Sequence, residues 1–176
     1  MNRNKYIIKY APFVVSALKG TKLLPSVMMA QALIESANKA GIPGESLLAA
    51  KYNNHFGIKA DASWLGDKID LNTTEYVKGV IKTVKAWFRV YEHAHHSFED
   101  RIVFLTANPR YQKGGVFNAL DASQQTLALQ RSGYATDPAY ASKLMSLITR
   151  LGLEELDRIG ADVLDLVRFI NRRFSR

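Results

Sequence analysis

Apolar residues recur at intervals of three and four through the N-terminal part of the chain. Ile7, Ala11, Val14, Val15 and Leu18 predict an amphipathic helix that Pro12 kinks or starts and Gly20 ends. Pro25 suits the first turn of a second helix, expected to run to about Ala40 before Gly41, Pro43 and Gly44 break it. A short third helix is expected from Ser46 to Tyr52. The second helix carries small and apolar residues along its length and brings one carboxylate, Glu35, near its end. By spacing alone, Gln31, Glu35 and Lys39 form a solvated stripe with a weak Glu35 to Lys39 pair.

From Asn53 the pattern changes. Ile69, Leu71, Thr73 and Glu75 alternate with Lys68, Asp70, Asn72 and Thr74, which predicts a half-buried strand. After a turn near Lys78-Gly79, Val80 to Tyr91 predicts its antiparallel partner. Helices resume with Ser97 as expected N-cap and run to the Asn108-Pro109 break. Two more are expected, over Ser123 to Arg131 and from Asp137-Pro138 to Gly152. The last segment places Leu156, Ile159, Val163, Val167, Ile170 and Phe174 on one stripe and ends in arginines. The fold class is α+β, a helical body interrupted by a small antiparallel hairpin lobe, and a cleft between such lobes suits a polymer.

At 176 residues and 47% hydrophobic content, one domain with a full core is the expectation. Lys and Arg total 24 against 16 Asp and Glu, a net charge of +8 that draws the protein to anionic polymers: nucleic acid, an anionic membrane or a bacterial wall. With no cysteines, neither a disulfide framework nor a thiolate metal site is available. Arg3, Lys5 and Lys9 ahead of Ala11 to Leu18 imitate a secretory signal, but Lys19 interrupts the run and no small-residue cleavage pattern follows. Neither a cleaved signal nor a transmembrane span is expected, since no stretch approaches the roughly 20 apolar residues a membrane helix needs.

No phosphate-binding glycine loop, HExxH or nucleophile elbow occurs. His93, His95 and His96 lack helical ligand spacing and a companion carboxylate, so they read as a polar loop and no metal is expected. The aromatics form no stacking signature for single-stranded nucleic acid. Paired carboxylates remain. Glu75 extends the apolar face of its strand, and a carboxylate there must find a partner, shift its pKa upward or face a cleft, unless it simply ends the strand in water. Glycoside hydrolysis uses two such groups, one protonated to assist departure of the glycosidic oxygen and one ionised.

Pro25-Ser26-Val27, Ala30-Gln31-Ala32 and Glu35-Ser36 are followed by Asn53-Asn54, Phe56-Gly57-Ile58-Lys59, Thr73-Thr74-Glu75-Tyr76 and Phe88-Arg89-Val90-Tyr91. Gly133-Tyr134-Ala135-Thr136-Asp137-Pro138-Ala139-Tyr140-Ala141 closes the series. In order and spacing, from Lys5 to Leu153, this resembles the bacterial glucosaminidases of glycoside hydrolase family 73, found in autolysins, phage lysins and flagellar rod proteins. The resemblance implies a lysozyme-like fold and an endo-β-N-acetylglucosaminidase that cuts peptidoglycan. It implies Glu35 as general acid and Glu75 as the second carboxylate, with Tyr134 nearest the chemistry. Tyr140, Asn54 and Phe56 are implied as substrate-cleft residues, while packing is the alternative for Tyr140 and Phe56. Family members commonly carry glycine just after Glu-Ser, whereas Ala37-Asn38-Lys39 follows here.

These readings divide the chain into a glucosaminidase domain over 1–155 and a basic amphipathic helix over 156–176. That helix either offers Arg172 and Arg173 to an anionic wall or membrane surface or, the better-supported reading, is simply solvated. No cofactor is called for, and the expected partner of a monomeric protein is peptidoglycan, not nucleic acid. It would act at the bacterial cell wall or periplasm, delivered as a phage lysin, as an effector or within a longer envelope protein. A muramidase on the same scaffold and a non-catalytic wall-binding module are the alternatives.

Overall fold

The computed structural model describes residues 2–77, 80–159 and 163–174, leaving aside the side chains of 74–77, 81 and 163. The first helix, α1 (Arg3–Ala17), is capped by the Asn2 side chain and buries Tyr6, Ile7, Tyr10, Ala11, Val14 and Val15. Pro12 neither starts nor ends it: the residue lies on the exposed side, and the helix runs through it. The second helix, α2 (Pro25–Glu35), is shorter than expected. Ser36 Oγ donates to the Ala32 carbonyl and accepts from the Gly44 N–H, while Asn38 Oδ1 accepts from the N–H groups of Ala40 and Ile42. Short polar side chains thus offer the backbone partners that a longer helix would have supplied, and the chain leaves the helix at Glu35.

Ser46 caps α3 (Leu47–Tyr52), which ends with Asn53 in the left-handed region. β1 (Lys68–Val77) and β2 (Val80–Arg89) pair antiparallel, with Thr73 opposite Val84 and Glu75 opposite Lys82. The turn expected at Lys78-Gly79 lies outside the described residues. A two-stranded ribbon is marginal by itself, and here its base is anchored to the helices. α4 (Ala94–Ala107) supplies Asp100, which accepts from Arg89 at 2.8 and 2.9 Å and from the Tyr91 hydroxyl at 2.6 Å. Arg89 Nε also donates to the Lys59 carbonyl, and its guanidinium stacks 4.5 Å from the Trp64 ring centre. These bonds hold Val90 and Tyr91 in a connection, so the strand stops two residues before Tyr91.

His93, not Ser97, precedes α4, because the Ser97 hydroxyl bonds back to the Ala94 carbonyl within the first turn. Pro109 opens α5 (Pro109–Lys113), and a single 3-10 turn at Val116–Asn118 leads to α6 (Ala122–Arg131), capped by Asp121. Asp137 and Pro138 form a turn ahead of α7 (Tyr140–Leu151), which Gly152 closes at φ 65°. The C-terminal segment divides into α8 (Glu154–Ile159) and α9 (Val163–Phe174). α9 buries Leu166, Phe169, Ile170 and Phe174 and packs against α1, whereas Val167 faces solvent. Of the residues expected on one stripe, Leu156, Ile170 and Phe174 are buried and Ile159 packs against the core, while the Val163 side chain lies outside the described residues. Val167 falls on the solvent side of α9, whose buried face is carried by Leu166, Phe169, Ile170 and Phe174. Arg172 pairs with Glu155, and Arg173 Nε donates to the Leu151 carbonyl at the end of α7.

α2 packs against α1, α6, α7 and α8, and the buried side chains of these helices join Phe56, Ile58 and Phe98 in one core. Among the described residues, no helix is long and apolar enough to cross a membrane.

The core includes a tyrosine–histidine pair. Tyr6 Oη lies 2.6 Å from His55 Nδ1, with the Tyr10 and Phe98 rings against the imidazole. Burial, aided by the Lys9 charge, pushes the His55 pKa down to about 4. Between pH 6.5 and about 4, only the unfolded chain takes up this proton, so stability falls as pH falls through that window. Denaturant unfolding at stepped pH should show a loss on the order of 3 kcal/mol across it. His55→Gln should flatten that dependence, and an unchanged slope would remove His55 as its source.

Candidate active site

Glu35 is the last residue of α2, and the first residue of α7 meets it: Tyr140 Oη donates to Glu35 Oε1 at 2.9 Å. One turn earlier on α2, Gln31 Nε2 donates to the same tyrosine oxygen at 2.8 Å. Gln31 is fully buried and Lys39 lies in the loop beyond the helix, so the solvated stripe expected of Gln31, Glu35 and Lys39 does not exist. Burial raises the Glu35 pKa, against the Tyr140 hydrogen bond and the charge of Arg101, which both lower it. A carboxyl held this way keeps its proton above the usual carboxylate range and can lose it to a basic partner.

Glu35 opens onto a cleft of about 700 Å³. One wall comes from the segment after α3, with Phe56, Lys59 and Asp61, and from Thr73 and Phe88 of the hairpin. The other comes from Phe104 of α4, Arg110 of α5 and the loop Tyr134 to Thr136. Tyr134 stacks on Tyr140 at 5.7 Å between ring centres, and burial raises its pKa, so the phenol stays protonated. Asp61 is a second carboxylate on the cleft wall, held below its usual pKa by the hydroxyl and N–H of Ser63.

The structure thus brings Glu35, Phe56 and Tyr134 to one cleft. Tyr140 is buried behind Glu35 as its hydrogen-bond partner. Asn54 is not on the cleft floor: it is fully buried, its Nδ2 donates to the Ile58 and Arg89 carbonyls, and its Oδ1 accepts from the Ile58 N–H. It therefore ties the segment before the hairpin to the end of β2. Glu75 stands in β1, two positions beyond Thr73, and its side chain lies outside the described residues. His93, His95 and His96 cluster at the start of α4, but among the described residues no group of three or more potential ligands is arranged to hold a metal ion.

Sequence reasoning missed Asp61, Arg110 and the buried Arg101, whose guanidinium donates to Gln31 Oε1. Gln31 carried one usable signal, standing four residues before Glu35 within the otherwise apolar run from Val27 to Ile34.

A family model for glucosaminidase, described as mannosyl-glycoprotein endo-beta-N-acetylglucosaminidase, matches residues 11–153. Peptidoglycan hydrolase FlgJ of Salmonella typhimurium is 50% identical over 98 residues, 56% of this chain and 30% of that protein. Exo-glucosaminidase LytG of Bacillus subtilis is 36% identical over 141 residues, 78% of this chain and 48% of that protein. The chain thus spans less than half the length of either curated relative. Among solved structures, the catalytic domain of the autolysin Auto from Listeria monocytogenes superimposes with a TM-score of 0.73 at 33% identity, covering 88% of this chain and 87% of that one.

Removing the Asn54 amide takes its acceptor from the buried Ile58 N–H and a donor each from the Ile58 and Arg89 carbonyls, the first of which keeps only the Arg89 N–H. Asn54→Ala should therefore lower the unfolding free energy by about 2–4 kcal/mol. Denaturant titration checks this, and a change below about 0.5 kcal/mol, the range of an ordinary surface substitution, would contradict the clamp.

Proposed function

The chain belongs to the glucosaminidase family, and on that premise we propose that it hydrolyses peptidoglycan glycan strands at the β-1,4 bond after N-acetylglucosamine. The observation that carries this reading is the Glu35 carboxyl, its pKa raised by burial at the end of a buried helix and its side chain opening onto a cleft large enough for a sugar chain. In the proposed reaction the Glu35 proton passes to the glycosidic oxygen as the bond to the anomeric carbon breaks. Positive charge then develops on the sugar ring, and a second carboxylate is the usual means of stabilising it or activating water. We assign that role to Glu75 of β1.

Tyr134, protonated and on the cleft wall, would donate a hydrogen bond to a sugar substituent, and Phe56 would form an apolar floor under a ring. Tyr140 would serve the site by holding Glu35. The bound polymer is anionic, in keeping with a net charge of +8 on the protein. The place of action that follows is the bacterial cell wall or periplasm.

Purified peptidoglycan digested with wild type should yield fragments whose new reducing ends are N-acetylglucosamine, read by mass spectrometry. Reducing ends of N-acetylmuramic acid would make the protein a muramidase, and sedimentation with walls without release of reducing ends would make it a binding module. Glu35→Gln should lower the rate by a factor on the order of a thousand while keeping the fold and wall binding. Lysis by Glu35→Gln at the wild-type rate would overturn the assignment of the acid. Glu75→Gln should slow turnover by at least about tenfold, and an unaffected rate would shift the second role to the substrate's own acetamido group.

A further inference from the structure

We propose that Arg101 is a positioning residue for Glu35, acting through Gln31 and Tyr140. The proposal rests on the reading of Glu35 as the acid. Arg101 reaches the site from α4 and donates to Gln31 Oε1. Gln31 Nε2 donates to Tyr140 Oη, and Tyr140 Oη donates to Glu35 Oε1. Every bond in this chain runs the same way, from the cation to the carboxyl.

Arg101 sets that direction. A guanidinium only donates, so it fixes the Gln31 amide with its oxygen toward α4 and its NH2 toward α7. Tyr140 must then accept from Gln31 with a lone pair, which leaves its single proton for Glu35. With Oε1 occupied as an acceptor, the carboxyl proton is held on Oε2, the oxygen left to transfer it. Once the proton has gone, the remaining carboxylate keeps the Tyr140 bond and the field of a cation behind it.

The burial of Arg101 supports a role beyond stability. The side chain is 1% exposed, and its Nε and Nη1 have no hydrogen-bond partner among the described residues. A well-packed apolar side chain would fill this position at lower cost. The groups that face Glu35 are the Tyr140 phenol of α7, the Tyr134 phenol of the preceding loop and Arg101 of α4. Lys59, Asp61 and Arg110 stand on the cleft walls.

The test uses Gln31→Met, Arg101→Met and Arg101→Lys in the full chain, with thermal melting to confirm folding. Carboxyl-carbon NMR follows the titration of Glu35, its signal identified by its disappearance in Glu35→Gln. In Gln31→Met and Arg101→Met the midpoint should rise by about one pH unit or more, because influences that lower it are removed. On soluble glycan fragments, kcat should fall about tenfold with KM within about twofold of wild type, and the basic limb of the pH–rate profile should move upward with the titration. Arg101→Lys, which keeps the charge, should recover part of the midpoint.

A folded Gln31→Met protein in which Glu35 titrates as in wild type overturns the proposal. That variant decides the matter if Arg101→Met does not fold. Activity retained by Glu35→Gln would instead remove Glu35 as the acid, leaving the titration result to stand separately.

Discussion

A helix buried on every side has to end where the chain leaves the core, and α2 is such a helix. Ser26 to Leu33 are all buried, so the residue that closes the helix stands at the boundary between packed interior and open cleft. That residue is Glu35, and the position sets its environment: enough burial to raise its pKa, and a side chain that still lines the cleft. The other end of the helix is fixed as firmly. Ser26 donates from its N–H and hydroxyl to the two oxygens of Asp157 on α8, which places an acidic group at the positive end of α2. The C-terminal segment thereby touches the helix that carries Glu35.

The second wall of the cleft needs a different support, because a two-stranded hairpin has no core of its own. Arg89 and Asp100 join the base of β2 to α4, and Asn54 joins the same strand end to the segment after α3. The residues that shape the hairpin side are thus tied to the helix that also carries Arg101. Ser36 and Asn38 do comparable work just beyond Glu35, where the turn is built from side-chain hydrogen bonds.

Local order was legible in the sequence wherever a local force decides it. The hairpin strands, the Ser46 cap, the Gly152 stop and the α+β outline follow from alternation, capping and turn chemistry within a few residues. Errors arose where a residue had two local options, as at Ser36 and Asn38, which bond to the backbone outside a helix, and at Ser97, which bonds backward instead of capping forward. They arose again at Val167, expected on the apolar stripe of α9 although Leu166 and Phe169 carry the buried face beside Ile170 and Phe174.

The sequence by itself determined that a carboxylate lies near the end of a largely apolar helix, and that ordered motifs resembling a known family surround it. Only the tertiary structure decided what that carboxylate experiences. Tyr140 lies 105 residues from Glu35 and Arg101 lies 70 from Gln31, and no pattern within one helix can show that these side chains form a single hydrogen-bonded line. Asn54 likewise is a cleft residue by resemblance and a clamp in the fold, because its partners are backbone groups up to 35 positions away. Periodicity records which face of an element is apolar. It holds no record of which distant element covers that face, and the proton affinity of a buried acid depends on that cover.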